Sequence, residues 1–274
     1  MEGKTIKRFP GGNTSKGFKS FFDYIAPKDV KLMFCMKGGP GVGKSSLMKK
    51  VAKEMLSRGY DVDLYPCSSD PDSLDAIVIK QLGVVMLDAT APHIVDPKNP
   101  GVIDEILDLG KFWNRSNIEK NKKEIMECNK EVGRFFKVGF NYFEAAAPIA
   151  YDIQAKNKDS MNFGEVNLIT ANLIDEIFKS VESSNRNNDV KHCFGSALSP
   201  IGHVEFTDTV LKDIDKVYYL DGALGTGKST MLNRIANKAI EKGLDVEILH
   251  APLLPEKIET IVIRDLSIAI TTSK

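Results

Sequence analysis

The sequence lacks the features that would tie a chain to a membrane or to a secretory route. In its 274 residues the apolar runs, such as the one at 84–87, are far shorter than the ~18 residues of a membrane-spanning helix. The N-terminal stretch MEGKTIKRFPGGN contains no apolar segment typical of a secretory signal. We therefore predict a cytoplasmic protein that does not associate with membranes.

Paired cysteines and an excess of charge of either sign are also lacking. The four cysteines (35, 67, 128 and 193) form no CxxC pair, which favours buried thiols in a reducing compartment over a metal or redox site. The 37 Lys and Arg residues balance 37 Asp and Glu residues, so the formal net charge is zero. Without a whole-protein field that attracts phosphates, nucleic acid is not an expected partner, whereas a protein partner or self-association stays open.

The length and composition favour two folded units, and the sequence repeats itself. Apolar residues make up 42% of the chain, enough for a buried core, and ~150 residues is a typical domain size. With a shift of 184, residues 31–90 lie on 215–274 without a gap, and 14 of 60 positions are identical. With a shift of 185 the preceding segments also match, as Phe9 meets Phe194. A period of this length predicts domain duplication rather than a solenoid.

The repeat sets the predicted domain boundaries. We predict a first domain over 1–191 and a second over 192–274, with the polar stretch 183–191 as the linker between them. The second copy stops less than halfway through its template, so we expect either a fragment of a longer protein or a shortened second half. Residues 102–185 have a largely helical pattern and predict a helical insertion or lid in the first copy.

Each copy predicts the same succession of local structures. An apolar run at 31–36, and its counterpart at 217–220, is typical of a buried strand and leads into a glycine-rich turn. An amphipathic helix follows each turn, then a second strand, a loop that contains proline and a short helix or turn, and in the first copy a third strand that ends at Asp88. Alternating strands and helices predict an α/β fold, with a parallel sheet covered by helices in three layers.

The glycine-rich turns match the pattern GxxxxGK[ST], once in each copy. Glycines let the backbone wrap so that successive N–H groups point at phosphate oxygens, and the following helix adds its positive N-terminal end. The residues predicted to bind the phosphates in the first copy are Gly38, Gly39, Pro40, Gly41, Val42, Gly43, Lys44, Ser45 and Ser46. Those in the second copy are Gly222, Ala223, Leu224, Gly225, Thr226, Gly227, Lys228, Ser229 and Thr230.

Two side-chain types in this pattern predict the chemistry of a nucleoside triphosphate. Lys44 or Lys228 would reach the β- and γ-phosphates, and the hydroxyl of Ser45 or Ser229 would coordinate Mg²⁺. Asp88, at the end of a strand beside the first turn, would hold Mg²⁺ or its water and take part in catalysis with Lys44. The alternative for Asp88 is a carboxylate that caps the next turn.

Both copies resemble P-loop NTPase domains. The tandem arrangement is similar, more narrowly, to a group of poorly characterised bacterial ATPases or ATP-binding proteins, through FPGGNTSKGF, CSSDPDSLD and DATAPHIVDP. The resemblance covers nearly the whole chain and implies a three-layer α/β fold with Mg-ATP as the ligand. It does not imply a substrate.

Several further positions carry a functional hypothesis beside a structural one. In the second copy Thr272 takes the place of Asp88, so that copy would bind nucleotide and hydrolyse it poorly, unless Asp265 or a missing residue substitutes or the register slips slightly. Arg115 and Arg134 are candidates for lid arginines or for a solvated helix face. Other positions are candidates for phosphate, metal or acceptor contacts or for ordinary loop residues: Asp70, Asp72, Ser73, Asp75, Thr90, His93 and Asp96. Five aromatic residues are expected in the core of the insertion, with a partner surface as the alternative: Phe135, Phe136, Phe140, Tyr142 and Phe143.

Three functions follow from these features. The leading hypothesis is a Mg-dependent ATPase that hydrolyses ATP at the first copy and uses the energy for conformational change. The alternatives are a kinase of a nucleotide or small metabolite, with the insertion as a lid, and a non-hydrolysing switch. The guanine-reading string NKxD is absent, so ATP is the expected nucleotide.

Overall fold

The computed structural model describes residues 2–90 and 95–273. Within this part of the chain it is an α/β structure with two mixed sheets and two short hairpins. The first half of the chain forms β1 (Thr5–Lys7), β2 (Gly11–Thr14), β3 (Gly17–Ser20), β4 (Leu32–Lys37), α1 (Lys44–Ser57), β5 (Val62–Pro66), β6 (Leu74–Ile79), β7 (Val84–Asp88) and β8 (Asp104–Asp108). The helical segment, residues 115–178, consists of α2 (Arg115–Lys120), α3 (Lys122–Asp159) and α4 (Phe163–Phe178). The second half forms β9 (Val190–Phe194), β10 (Ser196–Ser199), β11 (Gly202–Glu205), α5 (Thr207–Leu211), β12 (Lys216–Tyr219), α6 (Lys228–Glu241), β13 (Val246–His250), β14 (Ile258–Ile263) and β15 (Ile268–Thr271).

The two large sheets have the same strand order. The first sheet runs β1-β5-β6-β7-β4-β8, and the second, read from its far edge, runs β9-β13-β14-β15-β12. The strands of the two large sheets therefore recur at the spacing of the sequence repeat, apart from β8. Phe9 and Phe194, which the shift of 185 superimposes, also meet in space, and each donates its backbone N–H to the other's carbonyl at 2.9–3.0 Å.

The prediction of a parallel sheet is wrong in part. In the first sheet β4 runs parallel to β7 and β8, but β6 runs antiparallel to both of its neighbours, β5 and β7. The second sheet repeats this, with β14 antiparallel between β13 and β15. The connections explain the direction, because residues 67–73 and 80–83 are too short for the crossover of a dozen or more residues that parallel neighbours need.

A core lies on both faces of each sheet. One face of the first sheet packs against α1, through Met48 and Ala52, and the opposite face packs against Phe22 and Ile25. On one face of the second sheet α6 forms the core, and α4 adds Ile177 and Phe178 to the same core. The helical segment thus follows the first half in sequence but contributes its core residues to the second half.

The helical segment differs from the sequence-based expectation in two further ways. Residues 104–108, expected in the insertion, form the strand β8, which extends the first sheet beside β4. Of the five aromatic residues expected in a core of the insertion, all on α3, three are largely exposed, Phe135 by 61%, Phe136 by 43% and Tyr142 by 72%, and two are half-buried, Phe140 and Phe143. The physical reason is that four of these aromatic residues line an open cavity of about 350 Å³ together with Asn13 of β2 and Leu198 of β10, so no close-packed core forms around them.

Candidate functional site

The first glycine-rich loop connects β4 to α1 in a conformation that only glycine adopts without strain. The backbone φ angle is +135° at Gly38, +84° at Gly41 and +88° at Gly43. Gly43 is the N-cap of α1, and no side chain caps the helix there. The N–H groups of the first turn and the positive end of the helix dipole are therefore directed into the loop.

The side chain of Lys44 lies inside this loop and next to Asp88. Its ammonium group donates to the carbonyl oxygens of Gly38 and Gly39, the latter at 3.1 Å, and lies 3.4 Å from the Asp88 Oδ2 atom. Asp88 is the last residue of β7, whose neighbour is β4. The other carboxylate oxygen of Asp88 accepts the Thr90 N–H at 2.9 Å, which fixes its orientation. The structure thus places Asp88 beside the first loop, and its role as a metal ligand stays a prediction.

Hydroxyl groups complete the first site. Ser45 Oγ accepts the Leu74 N–H at 3.0 Å, and Thr90 Oγ1 donates to the Gly38 carbonyl at 3.0 Å. The indole of Trp113 lies against the outside of the loop, since a Cβ atom at Gly39 would be 3.0 Å from its ring. The sequence analysis did not single out Trp113, and only the pairing of β8 with β4 brings it here.

The second loop repeats the backbone conformation, the lysine contacts and the serine contact of the first. Its φ angles are +150° at Gly222, +89° at Gly225 and +95° at Gly227. Lys228 donates to the carbonyl oxygens of Gly222 and Ala223, the latter at 2.7 Å. Ser229 Oγ accepts the Ile258 N–H at 2.9 Å, as Ser45 accepts the corresponding N–H in the first loop. Both loops therefore present the same donors and the same lysine at the start of a helix.

The acidic groups distinguish the two sites. Thr272, the counterpart of Asp88, lines the cavity beside the second loop. Asp265 does not substitute for it, because its carboxylate pairs with Arg186 and accepts the Asp245 N–H at 3.0 Å. The carboxylate that lines the second cavity belongs instead to Glu259, which the sequence analysis missed.

Glu259 and its counterpart Asp75 are both acids with a perturbed pKa. Burial raises the pKa of Glu259 to about 7, Glu205 adds to the increase, and Lys228 opposes it. Burial also raises the pKa of Asp75 to about 7, against the effect of a hydrogen bond with Cys67. The repeat could have revealed this pair, because the shift of 184 superimposes Asp75 on Glu259.

The remaining sequence candidates lie apart from the loops or outside the described residues. Arg115 pairs with Glu119 at 3.2 Å and Arg134 with Glu131 at 2.8 Å, each on its own exposed helix. Asp70 accepts the Ser73 hydroxyl at 2.6 Å in an exposed loop, Asp72 lies in the same loop, and Asp96 accepts from Lys37. His93 lies outside the described residues. Among the described residues no group of three or more His, Cys, Asp and Glu side chains could hold a metal ion by itself.

Comparisons with known proteins give no further identification. No match was found among protein-family models, among curated proteins or among solved structures. In residues 2–90 and 95–273 none of the helices combines the length and the apolar character that crossing a bilayer requires. The functional argument therefore starts from the two loops and the side chains around them.

Proposed function

We propose that this chain is a Mg-dependent ATP-binding protein of the P-loop NTPase type, with two nucleotide sites and hydrolysis at the first. The observation that carries the proposal is the recurrence of one constellation in two places. In each, three glycines with positive φ, a lysine bound to loop carbonyls and a serine that accepts a backbone N–H lie at the start of a helix. A single such loop could be an ordinary turn, but two with matching atoms favour one shared ligand.

The residues present fit a triphosphate with Mg²⁺. Backbone N–H groups, a helix dipole and a lysine are the groups that bind phosphate oxygens in such loops. Ser45 Oγ, in the first turn of α1, and the Asp88 carboxylate, beside Lys44, are hard oxygen donors, and they would hold the metal. Mg²⁺ bound there would supply positive charge to the phosphate oxygens. Lys44 would orient the phosphate tail and offset the charge that develops on it.

The difference in acidic groups favours hydrolysis at the first loop. Asp88 is fixed beside Lys44 by its bond to the Thr90 N–H, whereas Thr272 in the second site carries no charge. The second site would therefore bind nucleotide more readily than it turns it over. A kinase with its lid over the first loop is not favoured, because the helical segment that would serve as the lid packs against the second half.

Release of phosphate from ATP tests the proposal of hydrolysis at the first loop. We expect the substitution Asp88→Asn to lower the rate by about 100-fold, the size of the effect when one electrostatic contact to a transition state is removed. Nucleotide binding should change little, because the lysine and the loop backbone are kept. Asp70→Asn, in an exposed loop, is the matched control and should leave the rate unchanged. A rate that requires an added phosphoacceptor would instead support the kinase, and equal rates in both variants would contradict hydrolysis at the first loop.

A further inference from the structure

The two loops differ in what covers them. The outer side of the first loop is open at Gly41, where a Cβ atom would meet no described atom within 4 Å. At the corresponding Gly225 a Cβ atom would lie 2.4 Å from the carbonyl oxygen of Gln154, on α3. The Asn157 side chain, one turn further along α3, donates to the Leu224 carbonyl at 2.7 Å. The helical segment therefore rests directly on the backbone of the second loop.

A cavity lies between this loop and the helical segment. It has a volume of about 310 Å³, and α3 and α4 contribute Gln154, Lys158 and Phe163 to its walls. Three lysines line the cavity: Lys158, Lys228 and Lys257. Among the described residues that line it, Glu259 is the acidic one. An excess of positive charge around a cavity of this size fits an anion with several oxygens.

Lys158 is the lysine that the helical segment brings to this cavity. It forms no ion pair with any residue that the structure describes, whereas Lys156, two positions earlier on α3, pairs with Asp152 at 3.0 Å. The ammonium group of Lys158 is thus available to an anion in the cavity, where a polyphosphate would attract it together with Lys228 and Lys257.

From these contacts we infer that the second nucleotide site is composite. Its loop supplies Lys228 and the backbone donors, and the helical segment supplies Lys158 as a second cation for the phosphate tail. The inference rests on the proposed function, since it concerns the same ligand. Because the ligand touches both walls of the cavity, its binding stabilises the docked position of α3, and by reciprocity the docking of α3 tightens binding.

Calorimetry with Mg²⁺ and the non-hydrolysable analogue AMP-PNP tests the composite site in a Lys44→Ala background, so that only the second loop binds. We expect Lys158→Ala to weaken affinity about tenfold, which corresponds to ~1.4 kcal/mol. Lys158→Arg should restore most of the loss, and the matched control Lys156→Ala should stay within twofold of the background. Equal affinities for the Lys158→Ala and Lys156→Ala variants would overturn the inference.

A further variant separates this inference from the proposed function. In the same Lys44→Ala background, Lys228→Ala removes the lysine of the second loop itself and should abolish binding of AMP-PNP. If it does so while Lys158→Ala has no effect, the composite site is wrong and the P-loop assignment stands. If Lys228→Ala binds AMP-PNP normally, the P-loop assignment of the second loop fails.

Two glycine substitutions test the contact with α3 without a nucleotide. Gly41 and Gly225 have nearly the same φ angle, +84° and +89°, so Gly41→Ala and Gly225→Ala impose the same backbone strain. Only the second places a methyl group against α3. We expect amide hydrogen exchange in residues 150–158 to accelerate at least tenfold in Gly225→Ala and to stay unchanged in Gly41→Ala. The same exchange rate in both variants would show that α3 does not dock on the loop.

Discussion

At the scale of single residues, glycine and lysine in the two loops are fixed by what the backbone requires. Gly43 and Gly227 have φ angles of +88° and +95°, which place the following lysine at the first position of a helix. Each lysine then folds back and donates to carbonyl groups of its own loop. This part of the site could be read from the sequence, because the pattern GxxxxGK[ST] encodes backbone geometry and side-chain chemistry together.

The buried side chain of Arg8 joins the two halves of the chain. Arg8 lies 2.8 Å from Asp63 in the first half and 2.6 Å from Glu247 in the second, and all three side chains are buried. We expect Arg8→Ala to lower the free energy of unfolding by ~3 kcal/mol, because the two buried carboxylates lose their shared cation and keep only the partly exposed Lys80 and Arg264. Urea unfolding measures this change. Lys4→Ala is the control, since its pair with Asp213 is exposed and should be worth less than ~1 kcal/mol.

The sequence could not predict this arginine. Arg8 corresponds to Cys193 under the shift of 185, so the repeat gives no reason to expect a charge there. Its two partners are 55 and 239 residues away along the chain, and only the meeting of β1, β5 and β13 brings them together. A result in which Arg8→Ala and Lys4→Ala are equally mild would contradict the buried ion cluster.

At the scale of elements, the strand, loop and helix around each GxxxxGK[ST] pattern lie where the sequence predicted them, but β6 was expected as a short helix or turn. Its residues, LDAIVI at 74–79, are all buried and show no alternation. Periodicity alone does not distinguish such a run from part of a buried helix. Because β6 was missed, the antiparallel strand between β5 and β7 was not predicted, and the sheet was expected to be parallel throughout.

The exposure of α3 leads to a prediction about its aromatic residues. Phe135 and Phe136 are 61% and 43% exposed, whereas Phe178, at the end of α4, is only 4% exposed. We expect Phe135→Ala and Phe136→Ala each to change the free energy of unfolding by less than ~1 kcal/mol, and Phe178→Ala to lower it by ~3–5 kcal/mol. Thermal or urea unfolding checks all three. A large loss in the α3 variants would favour the core packing that the sequence first indicated.

At the scale of the whole molecule, a pair of histidines makes the contact between the halves sensitive to acid. Phe21, from the first half, stacks on His250 at a centroid distance of 4.8 Å. His250 Nδ1 donates to the Pro255 carbonyl at 2.7 Å, so its Nε2 accepts from His192 Nδ1 at 2.8 Å when both rings are neutral. Burial lowers the pKa of His250 to about 4, so the folded state holds this ring neutral under conditions where an unfolded chain would protonate it.

The sign of the pH dependence follows from that shift. The unfolded chain binds its proton near pH 6.5 and the folded one near pH 4, so this contribution to stability is present above pH 6.5 and is lost as the pH falls toward 4. The whole contribution of His250 to the free energy of unfolding over this range is about 3 kcal/mol. We expect urea unfolding between pH 6.5 and 4 to show that the free energy of unfolding falls less with decreasing pH in His250→Gln than in the unchanged protein. His203→Gln, on an exposed strand, should keep the full loss, and equal slopes in the two variants would contradict the account.

The central claim, that each half binds one nucleotide at its glycine-rich loop, is tested most directly by the stoichiometry of Mg-ATP analogue binding. Calorimetry with AMP-PNP should give two bound molecules per chain, one in either Lys44→Ala or Lys228→Ala, and none when both lysines are replaced. Lys49→Ala, on the exposed face of α1, should still bind two. A stoichiometry that does not change when these two lysines are removed, or the lack of any magnesium-dependent binding, would contradict the claim.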